Sequence, residues 1–383
     1  SVRSFVKRVP LVILLGGALV SVAMGAGLVY AVQRDVPARP ARSRSALRSA
    51  TTRVPAVVPS KPVPTTTTPR SPELGSGQTV TFAFGGDVHF EGVLRTKLNA
   101  DPSTVLAPIT PVLSGADVAM VNLETAITDR GAPEAKEFQF RAPGAAFIAL
   151  RDAGVDVTTM ANNHGRDYGA AGFDDTLAAT AFTGFPVVGV GHNATEAYAP
   201  YRLTAKGQRI AIIGATDVID NNLVASWTAT DSQPGLASAK QLDRLVAAVQ
   251  AARADADTVV VYLHWGVEGI TCPSPRQQDL ARALTAAGAD IVVGSHAHRQ
   301  EGAGRLGTAL VDYGLGNFAF YNEAGPSGVS GVLQVTMTGH RVDAYGWLPA
   351  RISGGVPQPL AGPAADAALA SWNDLRPCSG LAP

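Results

Sequence analysis

Cysteine is nearly absent from this chain of 383 residues: Cys272 and Cys378 are the only two, so at most one disulfide can form. An even count suits an exported body, in which one bond would tie the C-terminal tail to the loop after HWGVE; two unrelated thiols are the alternative. No internal repeat is visible. Basic charge is scarce where a nucleic-acid binder would need it. Residues 1–78 hold eleven of the 31 Lys and Arg but only two of the 31 Asp and Glu (Asp35 and Glu73), leaving twenty basic against twenty-nine acidic residues in the rest. Affinity for a phosphate backbone comes from clustered Lys and Arg, so a mildly acidic body excludes nucleic acid as a partner.

One stretch lacks charge altogether. Pro10 to Val32 reads PLVILLGGALVSVAMGAGLVYAV, against the roughly 20 apolar residues that cross a bilayer core and the roughly 7–15 of a cleaved signal. A single-pass membrane anchor is therefore expected over residues 1–32, with a cleaved signal as the alternative. Arg3, Lys7 and Arg8 precede the span, and Arg34, Arg39, Arg42, Arg44 and Arg48 follow it, so these charges alone favour the cytoplasm for the body. The cysteine pair and the linker place it outside. That linker, residues 33–78, is rich in Pro, Arg, Ser and Thr and buries too little apolar surface to offset the entropy of ordering it, so a disordered tether is expected.

From Thr79 to the C-terminus the pattern is that of one α/β domain. TVTFAFGG, ADVAMVN, VDVTTMAN, RIAIIGAT, DTVVVYLHW and ADIVVGS have the composition of buried strands. Apolar spacing of three and four predicts helices over 142–153, 170–183, 238–254 and 275–287, three of them closed by Gly154, Gly184 and Gly288. The later runs TALVDYG, GVLQVTMTG and RVDAYGWLPA predict antiparallel strands that complete a second sheet.

Histidine is also sparse, and its placement is informative. Five of seven histidines fall where apolar strands end: His89 in GGDVHF, His164 in ANNHG, His264 in YLHWG, and His296 and His298 in GSHAH. Asp87 precedes the first, Glu124 follows ADVAMVNL, and Asn163 adjoins His164. In open α/β sheets the carboxyl ends of strands are where ligands bind. Imidazole, carboxylate and amide oxygen in that setting suit a binuclear metal centre. A buried carboxylate such as Glu124 is costly unless paired or metal-bound. Gly294 is expected to let backbone approach the ions. Asn122, Glu268, Glu301 and Asn317 lie beside these residues as candidates for substrate contact or for support of the ligands, and Asp167 joins them from ANNHGRDYG. Imidazole suits Zn, Fe and Mn alike, so the ligands do not choose the metal.

The order D-x-H, carboxylate, N-H, H, H-x-H resembles the calcineurin-like metallophosphoesterases. The fuller wording, with GGDVHFEG, VNLETAIT, ANNHGRDYG, HWGVE, GSHAH and YGLGNF, is similar to the CapA family of capsule and poly-γ-glutamate biosynthesis, over roughly Thr79 to Trp347. The resemblance implies a four-layer α-β-β-α sandwich of two mixed sheets flanked by helices. It implies two divalent ions, with Asp87, His89 and His298 on one, Asn163, His264 and His296 on the other, Glu124 between them, and His164 as acid or charge-stabilising group. Glu124 departs from the family's GDxxD aspartate, whereas His89 completes a position that capsule-type members commonly lack. The implied activity is hydrolysis of a phosphoester or of an amide in a γ-glutamyl polymer, in a membrane-tethered protein of a capsule-synthesis complex. The rival reading is a non-catalytic scaffold of a polymer-export complex with a structural or vestigial metal site.

Overall fold

The computed structural model describes residues 73–383. The expected anchor, and the linker up to residue 72, lie outside the described residues. Among the described residues no helix is long and apolar enough to cross a membrane. Residues 73–78, read in the sequence as the end of the linker, are fastened to the body. The Gln208 amide donates to the carbonyls of Leu74 and Gln78 at 2.9 and 2.8 Å and accepts from the Ser76 N–H at 3.2 Å.

Two mixed sheets carry the fold. The first is built from β1 (Val80–Val88), β2 (Val118–Leu123), β3 (Val157–Thr159) and β4 (Val187–Val188), all parallel. The second contains β5 (Tyr201–Ala205), β6 (Gln208–Thr216), β7 (Thr258–Trp265), β8 (Ile291–His296), β9 (Ala303–Leu306) and β10 (Ala309–Asp312), in the spatial order β9-β10-β8-β7-β6-β5. The chain then returns to the first sheet. Short β11 (Asn317–Ala319) lies parallel beside the end of β1, and β12 (Val329–Thr338), β13 (Arg341–Ser353) and β14 (Val356–Pro359) extend its other edge antiparallel.

This corrects the expectation that the late strands complete a second sheet. Only β10 joins that sheet, and it pairs parallel to β8; the hairpin that follows turns at Gly339, φ 61°, and pairs with β1. Runs of similar composition do not say which free edge they will find. The helix Gly362–Asn373 near the C-terminus is also absent from the sequence-based expectation.

Strand periodicity divides the core into three apolar layers. Phe82, Phe84, Met120, Val157, Ile212, Val260, Tyr262, Ile291 and Val293 meet between the sheets. Their neighbours of opposite parity face helices: Ala83, Ala119 and Val121 with Phe147, Leu150 and Phe173 on one side, Ile213, Val259, Val261 and Val292 with Leu245, Val249, Leu280 and Leu284 on the other. The result is four layers, helices outside two packed sheets. Three predicted helices sit within a few residues of expectation at Ala145–Asp152, Gly169–Thr183 and Leu242–Arg253. The fourth matches residue for residue at Pro275–Ala287. It starts at a Ser274/Gln277 capping box with Pro275 in its first turn and ends at Gly288 with φ 113°.

Cys272 and Cys378 are joined in a disulfide across 106 residues, fastening the C-terminal turn to the segment that enters the Pro275–Ala287 helix. A cross-link closing so long a loop stabilises by about 2–5 kcal/mol, chiefly by restricting the unfolded chain. Protein isolated without reductant is expected to resist thiol reagents until reduced, and reduction is expected to lower the melting temperature. Two freely reactive thiols in that preparation would count against the bond.

Candidate metal centre

The same parity that builds the inter-sheet core delivers polar side chains to its carboxyl end. Two residues beyond Tyr262, His264 still faces the other sheet, and so does Asn122, two beyond Met120. β7 and β8 are in register with His264 opposite Ser295, and β1 and β2 with Asp87 opposite Asn122. A register shift between Phe84 and Asp87 turns the end of β1 at two glycines. A Cβ on Gly86 would fall 1.8 Å from the Gly316 carbonyl, so that close crossing of chains requires glycine.

Two overlapping groups result, one of Glu124, His264 and His296, the other of Asp87, Glu124 and His298. Within each group the candidate ligand atoms lie within 4.8 Å of one another. His264 Nε2 is 3.1 Å from His296 Nδ1, 3.7 Å from Glu124 Oε1 and 2.7 Å from the Asn163 amide oxygen, so Asn163 belongs with the first group. His298 Nδ1 is 3.4 Å from Asp87 Oδ2.

Glu124 is common to both groups and is the clearest sign of a cation. It is wholly buried, and neither carboxylate oxygen has a hydrogen-bond partner among the described residues. Leaving a buried acceptor unsatisfied costs about 1–3 kcal/mol, and more for a charged one, so such a group implies a ligand. Burial, then the neighbouring Asp87 carboxylate, pushes its pKa well above the usual carboxylate range. His264 and His296 are held neutral: burial first, then the nearby imidazoles, lowers the one well below the ordinary value and the other to about 3. Burial would also raise Asp87 and lower His298, but their mutual hydrogen bonding and charge outweigh it. Asp87 stays below the usual range, and His298, under the fields of Glu124 and Asp87, is pushed up to about 9. Two imidazoles held neutral, carboxylates and an amide oxygen converging in a buried site make a donor set that fits divalent cations, and His298 would release its proton as it ligates.

The loop that supplies two of the imidazoles is strained. His296 and His298 have φ values of 98° and 52°, a region costly for residues other than glycine. Gly294, expected to admit the backbone to the ions, serves another purpose. A Cβ there would sit 1.9 Å from the Trp265 indole nitrogen, on the outer face of the strand and away from the metal groups.

Supporting contacts surround the ligands. Asn122 donates to Asp87 Oδ1 at 2.8 Å, lies 3.2 Å from His264 Nδ1 and accepts from Asn162 at 2.9 Å. Asn162 also donates to the Leu123 carbonyl and accepts from the His164 N–H, so the Asn-Asn pair is a brace as well as a turn. Asn317 holds His298 Nδ1 at 2.8 Å. His164 stands at the edge, Nε2 3.7 Å from Glu124 and Nδ1 bonded to Asp167. Asp167 also accepts from the Phe140 N–H and pairs with Lys136 at 2.9 Å; burial raises its pKa to about 7 despite the opposing charge of Lys136.

Two further residues sit differently from expectation. His89 joins neither metal group: its Nδ1 and Nε2 face the N–H groups of Glu91 and Tyr321 at 3.0 and 3.3 Å, and its ring is packed among Phe140, Phe320 and Tyr321. That aromatic enclosure, not visible in the D-x-H motif, fixes the ring aside from Asp87. Glu301 is buried behind the GSHAH loop, where Gln277 donates to it at 2.6 Å, and it does not line the pocket over the ligands. Burial, with a contribution from Asp312, raises its pKa to about 8. Glu268, by contrast, lines that pocket. Lys136, Phe140, Asn162 and Arg299 take part without having been singled out in the sequence. Lys136 and Phe140 lie in an irregular segment with no periodic signal, and only the repeated amide of ANNH pointed toward Asn162.

Comparison with known proteins follows the same residues. The family described as Bacterial capsule synthesis protein PGA_cap matches residues 81–322. The chain is 35% identical over 215 residues to the capsule biosynthesis protein CapA of Bacillus anthracis, covering 55% of this chain and 51% of that one. It is 32% identical over 252 residues to the PGA biosynthesis protein CapA of Bacillus subtilis (strain 168), covering 64% of each. The chain thus spans about half to two thirds of the length of these relatives. A solved structure of a hypothetical protein from Thermus thermophilus aligns over 71% of this chain and 100% of that chain, with 18% identity and a TM-score of 0.46. With the match running from the first strand of the body through all the residues of both metal groups, the chain belongs to the PGA_cap family of bacterial capsule synthesis proteins.

Proposed function

We propose that this protein is a membrane-tethered, extracytoplasmic hydrolase that uses two divalent ions and acts in the synthesis or attachment of a capsule or poly-γ-glutamate-type polymer. The observation that carries the reading is Glu124, a buried carboxylate without a hydrogen bond among the described residues, shared by two ligand groups with a histidine–aspartate pair at its edge. Asn163, His264 and His296 would hold one ion, Asp87 and His298 the other, and Glu124 both. Bound there, the ions supply Lewis acidity toward the scissile group and acidify water near neutral pH.

The chain's own residues do the rest. Asn122 fixes the aim of Asp87 and His264, and Asn317 that of His298. Asp167, itself held by Lys136 and the Phe140 N–H, orients His164 through Nδ1. That leaves His164 Nε2, on a residue that lines the pocket, to hand a proton to the leaving group or to stabilise the charge that develops there. Phe140 stacks on His164 with ring centroids 4.1 Å apart and limits the water around it.

Metal analysis of the full chain, with a screen of phosphomonoester, phosphodiester and γ-glutamyl substrates, tests the reading. About two ions per chain and metal-dependent turnover of one class are expected. Absence of bound divalent ion at micromolar concentration would transfer the case to a scaffold role, the reading favoured by His89 being turned away from the cluster. Tethering is tested separately, since residues 10–32 lie outside the described structure. Full-length protein is expected to stay in the membrane fraction after an alkaline wash, and recovery as soluble protein cleaved near residue 33 would exclude it.

A further inference from the structure

We infer that Arg299 is the specificity-determining residue of this site and binds a second anionic group of the substrate, one that is not itself attacked. The inference rests on the hydrolase reading for what the pocket is for, but not for its test. A cavity of about 380 Å³ opens over the ligands, with His164, His298 and Asn317 among its lining residues, Phe140, Phe320 and Tyr321 as apolar wall, and Arg299 beside Ser327.

Arg299 is half-buried, and its hydrogen bonds use one nitrogen only. Nη1 donates to Ser327 Oγ at 2.8 Å and to the His298 carbonyl at 3.1 Å. Nε and Nη2 have no hydrogen-bond partner, and the guanidinium no ion pair, among the described residues. Other Arg side chains nearby are turned to different surroundings: Arg141 lies over the Tyr168 ring, Arg166 lies over the Phe173 ring and is bonded by Nη1 to the carbonyls of Ser226 and Pro234, and neither lines the cavity. A guanidinium with its remaining donors free presents the fork geometry that suits a carboxylate or phosphate.

Its position is fixed relative to the metal groups. Asn317 holds His298 by its amide oxygen and donates from its amide nitrogen to the Ser327 carbonyl at 3.0 Å, while the Ser327 hydroxyl holds Arg299. Ligand and cation are thus two ends of one short chain of hydrogen bonds. A substrate that places its scissile group at the ions meets the guanidinium at a set distance, so a polymer carrying a negative charge on each unit would be selected over a neutral one. Glu268 lines the same pocket, but it is exposed and forms no ion pair with Arg299; solvent screens it more than it does the half-buried guanidinium.

Binding measured by calorimetry on full-length, Mn²⁺-loaded protein tests the inference without turnover. The probes are γ-linked triglutamate, the same peptide with its α-carboxylates amidated, and tripolyphosphate. Arg299→Gln is expected to retain metal and to weaken one anionic probe roughly ten- to hundred-fold, the value of charge-assisted hydrogen bonds. The amidated peptide should be unaffected, and Arg299→Lys should recover part of the loss. Loss confined to triglutamate identifies carboxylate, and loss confined to tripolyphosphate identifies phosphate. Equal affinity of wild type and Arg299→Gln for both anions overturns the inference, as does an equal loss for the amidated peptide. Failure of the hydrolase reading would appear instead as metal-loaded wild type that binds these probes and cleaves nothing.

Discussion

Glu124→Gln is expected to release metal from both groups and to abolish hydrolysis, while making the metal-free protein more stable. Glutamine keeps the shape of the side chain but not its charge, and it removes the only anionic ligand that the two groups share. The cost in metal affinity should exceed the roughly 10- to 100-fold that follows loss of an outer supporting contact. Stability moves the other way because the wild-type carboxyl is raised in the fold. Its native form holds the proton more tightly than the unfolded chain, so the contribution to stability falls as pH rises from 4.5 toward the raised native value. Glutamine has no such dependence. At pH 8 in chelator, Glu124→Gln should therefore melt above wild type, with a difference of about 1–3 kcal/mol. On addition of Mn²⁺ the order should reverse, since only wild type gains from ligation. His264→Ala and His296→Ala should also lose metal and activity, but each empties one group and neither removes the buried charge. A Glu124→Gln protein that binds metal as wild type does would dismiss the shared-ligand role.

The layers of the body were legible in the sequence because two periodicities dominate it. Continuous apolar runs such as DTVVVYL can only be buried on both faces, and the Ser274-Pro275 start and Gly288 stop mark a helix without ambiguity. Most of the candidate ligands were legible for a related reason. Asp87, Glu124, His264, His296 and His298 stand where an apolar run ends. Glu124 and His264 keep the inward parity of their strands and so have the opposite sheet in front of them, whereas Asp87 is brought there by the register shift after Phe84, and His296 and His298 by the positive-φ turn that ends β8. What could not be read was lateral. Nothing in Val329–Thr338 says that it will pair with β1 in preference to an edge of the second sheet. Nothing in D-x-H says that Phe140 and Phe320, far apart in sequence, will enclose the His89 ring. Lys136, Asn162 and Arg299 belong to the same class, since their roles are defined by partners that local pattern does not reveal. Glu301 shows the converse error: an acid beside a ligand motif is drawn behind it once Gln277 offers a hydrogen bond.

His164→Ala is the complementary experiment, because it separates proton handling from metal binding at a distance of one side chain. His164 belongs to neither ligand group, and its Nε2 stops 3.7 Å short of Glu124. Its Nδ1 is committed to Asp167, whose other contacts, to Lys136 and the Phe140 N–H, anchor the pair to an otherwise irregular segment. The variant is expected to keep its metal and lose about 10²- to 10⁴-fold in turnover, the scale for removal of a positioned acid or base. Asp167→Asn should fall between it and wild type, because the imidazole remains but its orientation is held only by a neutral amide. The leaving group distinguishes a proton donor from a merely structural residue. A substrate with an acidic leaving group, such as p-nitrophenol, needs little protonation and should lose far less on His164→Ala than one with an alkoxide or amine leaving group. Equal losses on both substrates with metal retained would make His164 a stabiliser of developing charge, and loss of metal matching that of His264→Ala would make it a ligand.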